Sequence, residues 1–468
     1  MSLAGNDTIV APATIPGTGA LSLIRISGAD ALSVCDAVLS CKVSDLPGYS
    51  LKYATVSDAS GKLLDTVMVS VFRAPHSYTG EDSAEISCHA SKYIVSELLS
   101  LLCNAGARMA GPGEFTKRAF LNGKMDLSQA EAVADVISSN NSATHRVAMT
   151  QLRGGYSQKL QQLRDELLDM ASLLELELDF SEEDVEFADR KQLKIKLEAT
   201  LSHVRKLIDS YKLGNVIKNG IAVAIVGPVN AGKSTLLNAI LGEDRAIVSE
   251  TAGTTRDTIE ESITLGGMNF RFIDTAGLRD TSESIESEGI RRSLSKISEA
   301  QLVLLMLDGT ATLEELESSA SEVLSKVDLK EQKVIILLNK CDKNAINKNV
   351  KYFNNFVASI DNKIVTLSIS AKDKIGLDKL EKTIIDQFSG LETSEDAVLV
   401  TNIRHLEALK SAEKYLVSLS SGLAQNSPTD LLAQDLRDSI ESISSILGQT
   451  ITPDTILHHI FQHHCIGK

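Results

Sequence analysis

The chain has 468 residues, too many for one ordinary domain, so two to four are expected. It is 43% hydrophobic with no Trp and only 8 Pro, which suits helix-rich globular domains, and no apolar run approaches the ~18 residues of a membrane span. A net charge of −15 excludes bulk attraction to nucleic acid, so any RNA contact must use local basic patches or a partner.

The first residues, Met1 to Asp7, lack the charged and apolar regions of a signal peptide. Cys35, Cys41, Cys88, Cys103, Cys341 and Cys465 are scattered without C-x-x-C spacing, several of them in apolar runs. They read as reduced thiols of a cytoplasmic protein. Residues 1–118 alternate β-like stretches (Gly19 to Ile26, Leu51 to Val56, Val67 to Phe72, Ala84 to Cys88) with helical segments at Ala29 to Leu39 and Lys92 to Cys103. An α+β domain follows from that alternation.

Within 119–216 the period changes. Leu160, Leu163, Leu167, Leu174 and Leu178 fall on one face of a long helix, with a break upstream at Gly154-Gly155. The segment Asp179 to Asp184 interrupts the pattern, and Leu193, Leu197, Leu201, Val204 and Ile208 resume it. Helical signal returns in 389–468 at Thr401 to Leu419, Asp430 to Leu447 and Thr455 to Phe461, the last two after Pro428 and Pro453. Neither helical block makes a bundle alone. The two are expected to pack together, with the domain at 217–388 inserted between them.

That inserted domain carries the chemistry. The apolar run Ile221 to Val226 reads as a strand, Gly227-Pro228-Val229-Asn230-Ala231-Gly232-Lys233-Ser234 is a G-x-x-x-x-G-K-S loop, and Thr235 to Leu241 reads as a helix. In that context backbone N–H groups cradle phosphate, Lys233 reaches the outer phosphates and the Ser234 hydroxyl binds Mg²⁺. Asp274-Thr275-Ala276-Gly277 follows a strand signal, so Asp274 can hold Mg²⁺ through water and Gly277 N–H can bond the γ-phosphate. Asn339-Lys340-Cys341-Asp342 ends a strand, with Asp342 placed to accept two guanine N–H groups that adenine lacks. Ser370-Ala371-Lys372 closes the base pocket. Four such motifs in this order indicate a GTPase domain of the translation-factor-like class.

Ras-like enzymes orient the attacking water with a Gln after the Asp-x-x-Gly motif. Leu278 stands there and cannot bond water. Asp280, Glu283, Glu286 and Glu288 are the nearby carboxylates, one of which can hold the water. Charge on the phosphates also needs neutralising. The hydroxyl-rich segment Ser249 to Asp257 and the Asn230 amide resemble a monovalent-cation cage, with Arg256 and Arg279 as rival arginine fingers.

Further motifs carry a resemblance. They are Asp7-Thr8-Ile9-Val10-Ala11, Arg25-Ile26-Ser27-Gly28, Tyr78-Thr79-Gly80-Glu81-Asp82, Pro112-Gly113-Glu114-Phe115, Arg118 to Lys124, Gly253-Thr254-Thr255-Arg256-Asp257 and the terminal Cys465-Ile466-Gly467-Lys468. Over nearly its whole length the chain resembles the MnmE (TrmE) family of tRNA-modification GTPases. The resemblance implies a homodimer joined through the N-terminal domain, which binds tetrahydrofolate as a 5-formyl or methylene derivative. It implies an FAD-containing partner, MnmG, and modification of C5 of the wobble uridine of certain tRNAs with an aminomethyl or carboxymethylaminomethyl group. GTP hydrolysis would depend on K⁺ and on pairing of GTPase domains. Carried over residue by residue, K⁺ falls on Asn230, Ser249, Thr251 and Thr254, and Mg²⁺ on Ser234 and Thr255. The water-holding carboxylate falls on Glu286, and folate on Arg25, Glu85, Lys124 and Lys468.

Two features of the tail stay open. His459, His463 and Cys465 suggest zinc, yet no second Cys or carboxylate completes a tetrahedral set, so the histidines read as surface or interface groups. Cys465 is either a nucleophile, its thiolate favoured by Lys468 or a protonated His464, or a packed or folate-lining thiol. The functional rival is a GTP-switched ribosome-assembly or regulatory RNA-associated GTPase, which predicts a compact basic appendage; none is visible. Basic clusters that could meet RNA are Arg108, Lys117, Arg118 and Lys124; Arg146, Arg153, Lys159 and Arg164; and Arg404, Lys410 and Lys414.

Overall fold

A computed structural model describes residues 7–58, 60–179, 190–242, 261–273, 297–342, 350–388 and 398–448, with side chains left undescribed at 173 and 175–179. Its described residues cluster into two compact units. One comprises parts of Met1–Ser138, Ala148–Lys206 and Ile403–Lys468, the other parts of Ser139–Val147 and Leu207–Asn402.

In the first unit, strands β1 (Ile9–Pro12), β2 (Gly19–Ser27), β3 (Ser50–Ser57), β4 (Leu63–Phe72), β5 (Ser83–Ala90) and β6 (Arg108–Met109) form one sheet in the order β3-β4-β5-β2-β1-β6. Neighbours are antiparallel except β1 with β6. Alternating apolar residues such as Val67, Val69 and Val71 turn inward and pack with residues of α1 (Ala31–Val38) and α2 (Lys92–Asn104). Helices α3 (Glu114–Leu121) and α4 (Leu127–Ser138) follow. The expected strands and helices are present; β1, β6 and α3 are additional.

The long-helix pattern holds. After α5 (Ser142–Leu152), Gly154 takes a left-handed φ of 84° and α6 (Gly155–Asp179) starts anew. Leu160, Leu163, Leu167 and Leu174 are buried, while the Leu178 side chain is outside the described set. In α7 (Arg190–Asn219), Leu193, Leu197, Leu201 and Val204 are buried, but the face continues through Leu207 and leaves Ile208 half-buried. The straight helix drifts from a strict seven-residue repeat, which moves the stripe by one position. In the C-terminal block, α12 (Ile403–Ala424) and α13 (Thr429–Leu447) pack on one another and α13 packs on α6, as expected for joined helical segments. Residues 449–468, including the helix anticipated at Thr455 to Phe461, lie outside the described residues.

In the second unit, β7 (Ile221–Val226), β8 (Glu261–Leu265), β9 (Met268–Phe272), β10 (Leu302–Asp308), β11 (Lys333–Asn339) and β12 (Val365–Ser368) lie in the order β12-β11-β10-β7-β9-β8. All neighbours are parallel except β8 with β9. Every residue of β7 is buried, as a parallel strand covered on both faces requires. One face packs α8 (Lys233–Leu241) and α11 (Leu377–Phe388), the other α9 (Leu313–Leu324) and α10 (Val350–Ile360).

Candidate functional site: a phosphate cradle and a base loop

The loop between β7 and α8 is shaped by two glycines. Gly227 has φ 146°, and a Cβ there would lie 2.0 Å from the Met306 carbonyl oxygen. Gly232 has φ 102°, and its Cβ would lie 2.3 Å from Asn339 Nδ2. Only glycine accommodates both the left-handed backbone and the approach of β10 and β11. Asn230 also has positive φ (62°) and is exposed. Lys233 folds over the loop, its Nζ donating to the carbonyls of Gly227 (2.9 Å) and Pro228 (2.8 Å). Burial lowers the Lys233 pKa, and a phosphate anion bound beside it would favour its charged form again. Ser234 is half-buried and Thr235 exposed on the first turn of α8, whose N-terminal N–H groups face the loop. This cradle fits a nucleotide's phosphates and a hydroxyl-bound Mg²⁺.

The base motifs converge on the same strand ends. Asn339 ends β11, and its Nδ2 donates to Ala231 O in the phosphate loop (2.7 Å). Its Oδ1 accepts from Ala371 N (3.0 Å). Lys340 has φ 69°, and its Nζ lies 2.5 Å from Asp308 Oδ2. Ser370 is buried, its Oγ 3.2 Å from Asp373 Oδ2, and pairs with Ile375 across a tight turn. Asp342 is exposed beside them. The structure therefore brings Asn230 to Thr235 together with Asn339, Lys340, Ser370 and Ala371. Asp308 was missed in the sequence, although an acid ending the apolar run Leu302 to Leu307 is a readable signal.

In the N-terminal sheet, Arg25 and Glu85 face each other in register on β2 and β5. Arg25 Nε donates to Glu85 Oε1 at 2.8 Å, and its guanidinium lies 5.1 Å from the Tyr78 ring centroid and 5.8 Å from that of Phe115. Lys124 Nζ donates to Pro75 O at 2.8 Å, and its stem passes close to Gly80. Arg25, Glu85 and Tyr78 thus form one contact group on the sheet, and Lys124 is held at Pro75.

Among the candidate RNA contacts, Arg118 and Arg404 are corrected. Arg118 is buried, bonded to Asp7 at 2.7 Å, Glu81 at 3.2 Å and Glu114 at 3.2 Å. Arg108 bonds Asp7 and Glu114. The Arg118 guanidinium therefore neutralises carboxylates inside the domain instead of facing solvent, whereas Arg108, though paired, keeps about half its side chain (49%) exposed. Arg404 is likewise engaged, with Glu131 at 2.8 Å, beside the buried His405. Ser249, Thr251, Thr254, Thr255, Asp274, Gly277, Glu286, Cys465 and Lys468 lie outside the described residues. Among the described residues no cluster of three or more His, Cys, Asp or Glu side chains is arranged for a metal, no disulfide is present, and no helix is long and apolar enough to cross a membrane.

Comparison with known proteins decides the family. Residues 8–124 match the model of the GTP-binding protein TrmE N-terminus, and residues 127–465 that of the MnmE helical domain. The chain belongs to the MnmE (TrmE) family. A tRNA modification GTPase MnmE of Bacteroides fragilis (strain YCH46) is 46% identical over 99% of both chains. One of Flavobacterium johnsoniae is 48% identical, again over 99% of each. Among solved structures, a variant of Aquifex aeolicus Era bound to GDP and aluminium fluoride aligns at 28% identity over 42% of this chain and 67% of that chain. Its TM-score of 0.28 is too low for the superposition to bear on function. Membership of the MnmE family makes the chain a P-loop GTP hydrolase, in keeping with the cradle and base loop above.

Proposed function

We propose that this GTPase is K⁺-activated and acts with an FAD-containing, MnmG-like partner on C5 of the wobble uridine of certain tRNAs. It uses a tetrahydrofolate one-carbon unit, as the 5-formyl or methylene derivative. We assign the domains as 1–118, 119–216, 217–388 and 389–468. The observation that carries the reading is that one chain holds both a phosphate cradle at Gly227 to Ser234 and a second polar site at Arg25, Glu85 and Tyr78. A GTP-switched binding module has no use for the second.

In this reading Lys233 exchanges its two carbonyl partners for phosphate oxygens, which is favourable because an anion satisfies a half-buried cation better than neutral carbonyls do. Ser234, Thr255 and, through water, Asp274 hold Mg²⁺, which offsets charge on the phosphate oxygens. Asn230, Ser249, Thr251 and Thr254 hold K⁺, Gly277 binds the γ-phosphate and Glu286 positions the attacking water. Asn339 fixes the pocket, and Asp342 reads the guanine edge.

The folate reading is supported by the Arg25–Glu85 pair, which offers a carboxylate and a guanidinium side by side beneath an aromatic ring. A pterin can be bonded by the first, a glutamyl tail by Lys124 and Lys468. Cys465 is placed by the same reading near that ligand. Arg25 and Glu85 share a sheet row with Ser70 and Leu51, and the exposed apolar side chains Leu51, Tyr53 and Met68 occupy the same face. Such a face supports homodimerisation through this domain. We place the protein in the cytoplasm, with tRNA as its macromolecular substrate.

The test is mass spectrometry of tRNA nucleosides from a deletion strain. Loss of the C5 modification, restored by the intact gene, is expected. Unchanged wobble uridines would favour the ribosome-assembly reading.

A further inference from the structure

Asp308 is the last residue of β10 and lies opposite Asn339 in the parallel register with β11. Its side chain is held from two directions. Oδ1 accepts from Thr310 N at 3.0 Å and Thr310 Oγ1 at 2.7 Å, while Oδ2 sits 2.5 Å from Lys340 Nζ. The Gly309 N–H also donates to Asn339 O at 2.9 Å, so the two strand ends are locked together. Burial would raise the Asp308 carboxyl, but the Lys340 and Thr310 bonds more than offset it and hold it below the ordinary carboxylate value.

Lys340 stands between two acids. It is two positions before Asp342, and its left-handed backbone turns the chain sharply at that point. A lysine ammonium on a flexible stem takes the nearest carboxylate that is already fixed in place. In this structure that carboxylate is Asp308, at the strand end, and Asp342 is left exposed.

We propose that Asp308 is a positioning residue for guanine specificity: by drawing the Lys340 ammonium to the end of β10, it keeps the Asp342 carboxylate available for the guanine N–H groups. An ammonium released from Asp308 would compete for Asp342, and a carboxylate already bonded to lysine accepts guanine poorly. The inference rests on the reading of Asp342 as the guanine-binding group.

The test uses the full-length protein and calorimetric titration with GDP and ADP, together with steady-state GTP turnover. Asp308→Ala is expected to raise the Kd for GDP and the KM for GTP about tenfold and to narrow the GDP over ADP preference, with kcat at saturation unchanged. Asp308→Asn, which keeps an acceptor for Thr310, is expected to show the same loss of preference without loss of thermal stability. Adding Lys340→Met to Asp308→Ala removes the competing ammonium and should recover most of the preference. Wild-type GDP affinity in both Asp308 variants, or a Lys340→Met that deepens the defect, overturns the proposal. Asp342→Asn, measured alongside, separates the two readings: if it leaves guanine preference intact, the base-pocket reading itself falls.

Discussion

Asn339 donates a 2.7 Å hydrogen bond from its amide to the carbonyl of Ala231, tying the base-reading strand end directly to the phosphate loop. The same amide accepts the Ala371 N–H at 3.0 Å, so one buried side chain joins three loops that are remote in sequence. Nucleotide affinity should therefore be sensitive to this residue even without any contact to the ligand. Asn339→Ala leaves a buried carbonyl and a buried N–H unpaired, at about 1–3 kcal/mol each. The Kd for GDP should rise by about 10- to 100-fold. Calorimetric titration checks it.

Gly232 offers a sharper steric test. A methyl group there meets Asn339 Nδ2 at 2.3 Å on a backbone at φ 102°, where an L side chain is strained. Gly232→Ala should abolish measurable GTP turnover. The far-ultraviolet circular dichroism should be unchanged, because the N-terminal and helical cores do not involve this residue.

Glu131 is held by Arg404 at 2.8 Å and His405 at 2.8 Å, with Tyr156 stacked on the imidazole at 5.4 Å between centroids. Burial raises the Glu131 carboxyl, and these partners more than offset that, so it is held below the ordinary carboxylate value. A depressed carboxylate stabilises the fold above its ordinary pKa and loses that contribution as pH falls through the folded value. Glu131→Gln should lower the melting temperature of this unit's transition at pH 7 by about 5–10 °C, from about 3 kcal/mol for a broken buried pair. The difference from wild type should shrink as pH falls below the ordinary carboxylate range, which thermal scans across acidic pH can follow.

Replacing K⁺ by Na⁺ should slow GTP turnover sharply at fixed ionic strength, and Glu286→Ala should slow it in K⁺ while leaving GDP affinity nearly intact. Equal rates in the two salts remove the cation cage, and wild-type turnover in the variant acquits Glu286.

The parts of this molecule readable from sequence are those fixed by local backbone chemistry. The phosphate loop announces itself by the spacing of Gly227, Gly232, Lys233 and Ser234, and the Leu160 to Leu174 stripe needs only a helical period. Strand β1 was invisible because its four residues end in Pro12 and carry no alternation. Arg118 looked like a solvated cation because its partners Asp7 and Glu81 are 111 and 37 positions away. Five of the recognised N-terminal motifs turn out to meet there: Asp7, Ser27, Glu81, Glu114 and Arg118 form one bonded cluster. The bridging role of Asn339 and the hold of Asp308 on Lys340 likewise exist only once β10 and β11 are side by side.

Two sites in separate units serve one reaction in this reading, and complementation tests that most directly. In the deletion strain, Lys233→Ala and Arg25→Ala are each introduced, and wobble-uridine nucleosides are measured by mass spectrometry. The account predicts that neither variant restores the C5 modification, although Arg25→Ala retains K⁺-dependent GTP hydrolysis. Full restoration by either variant would contradict it.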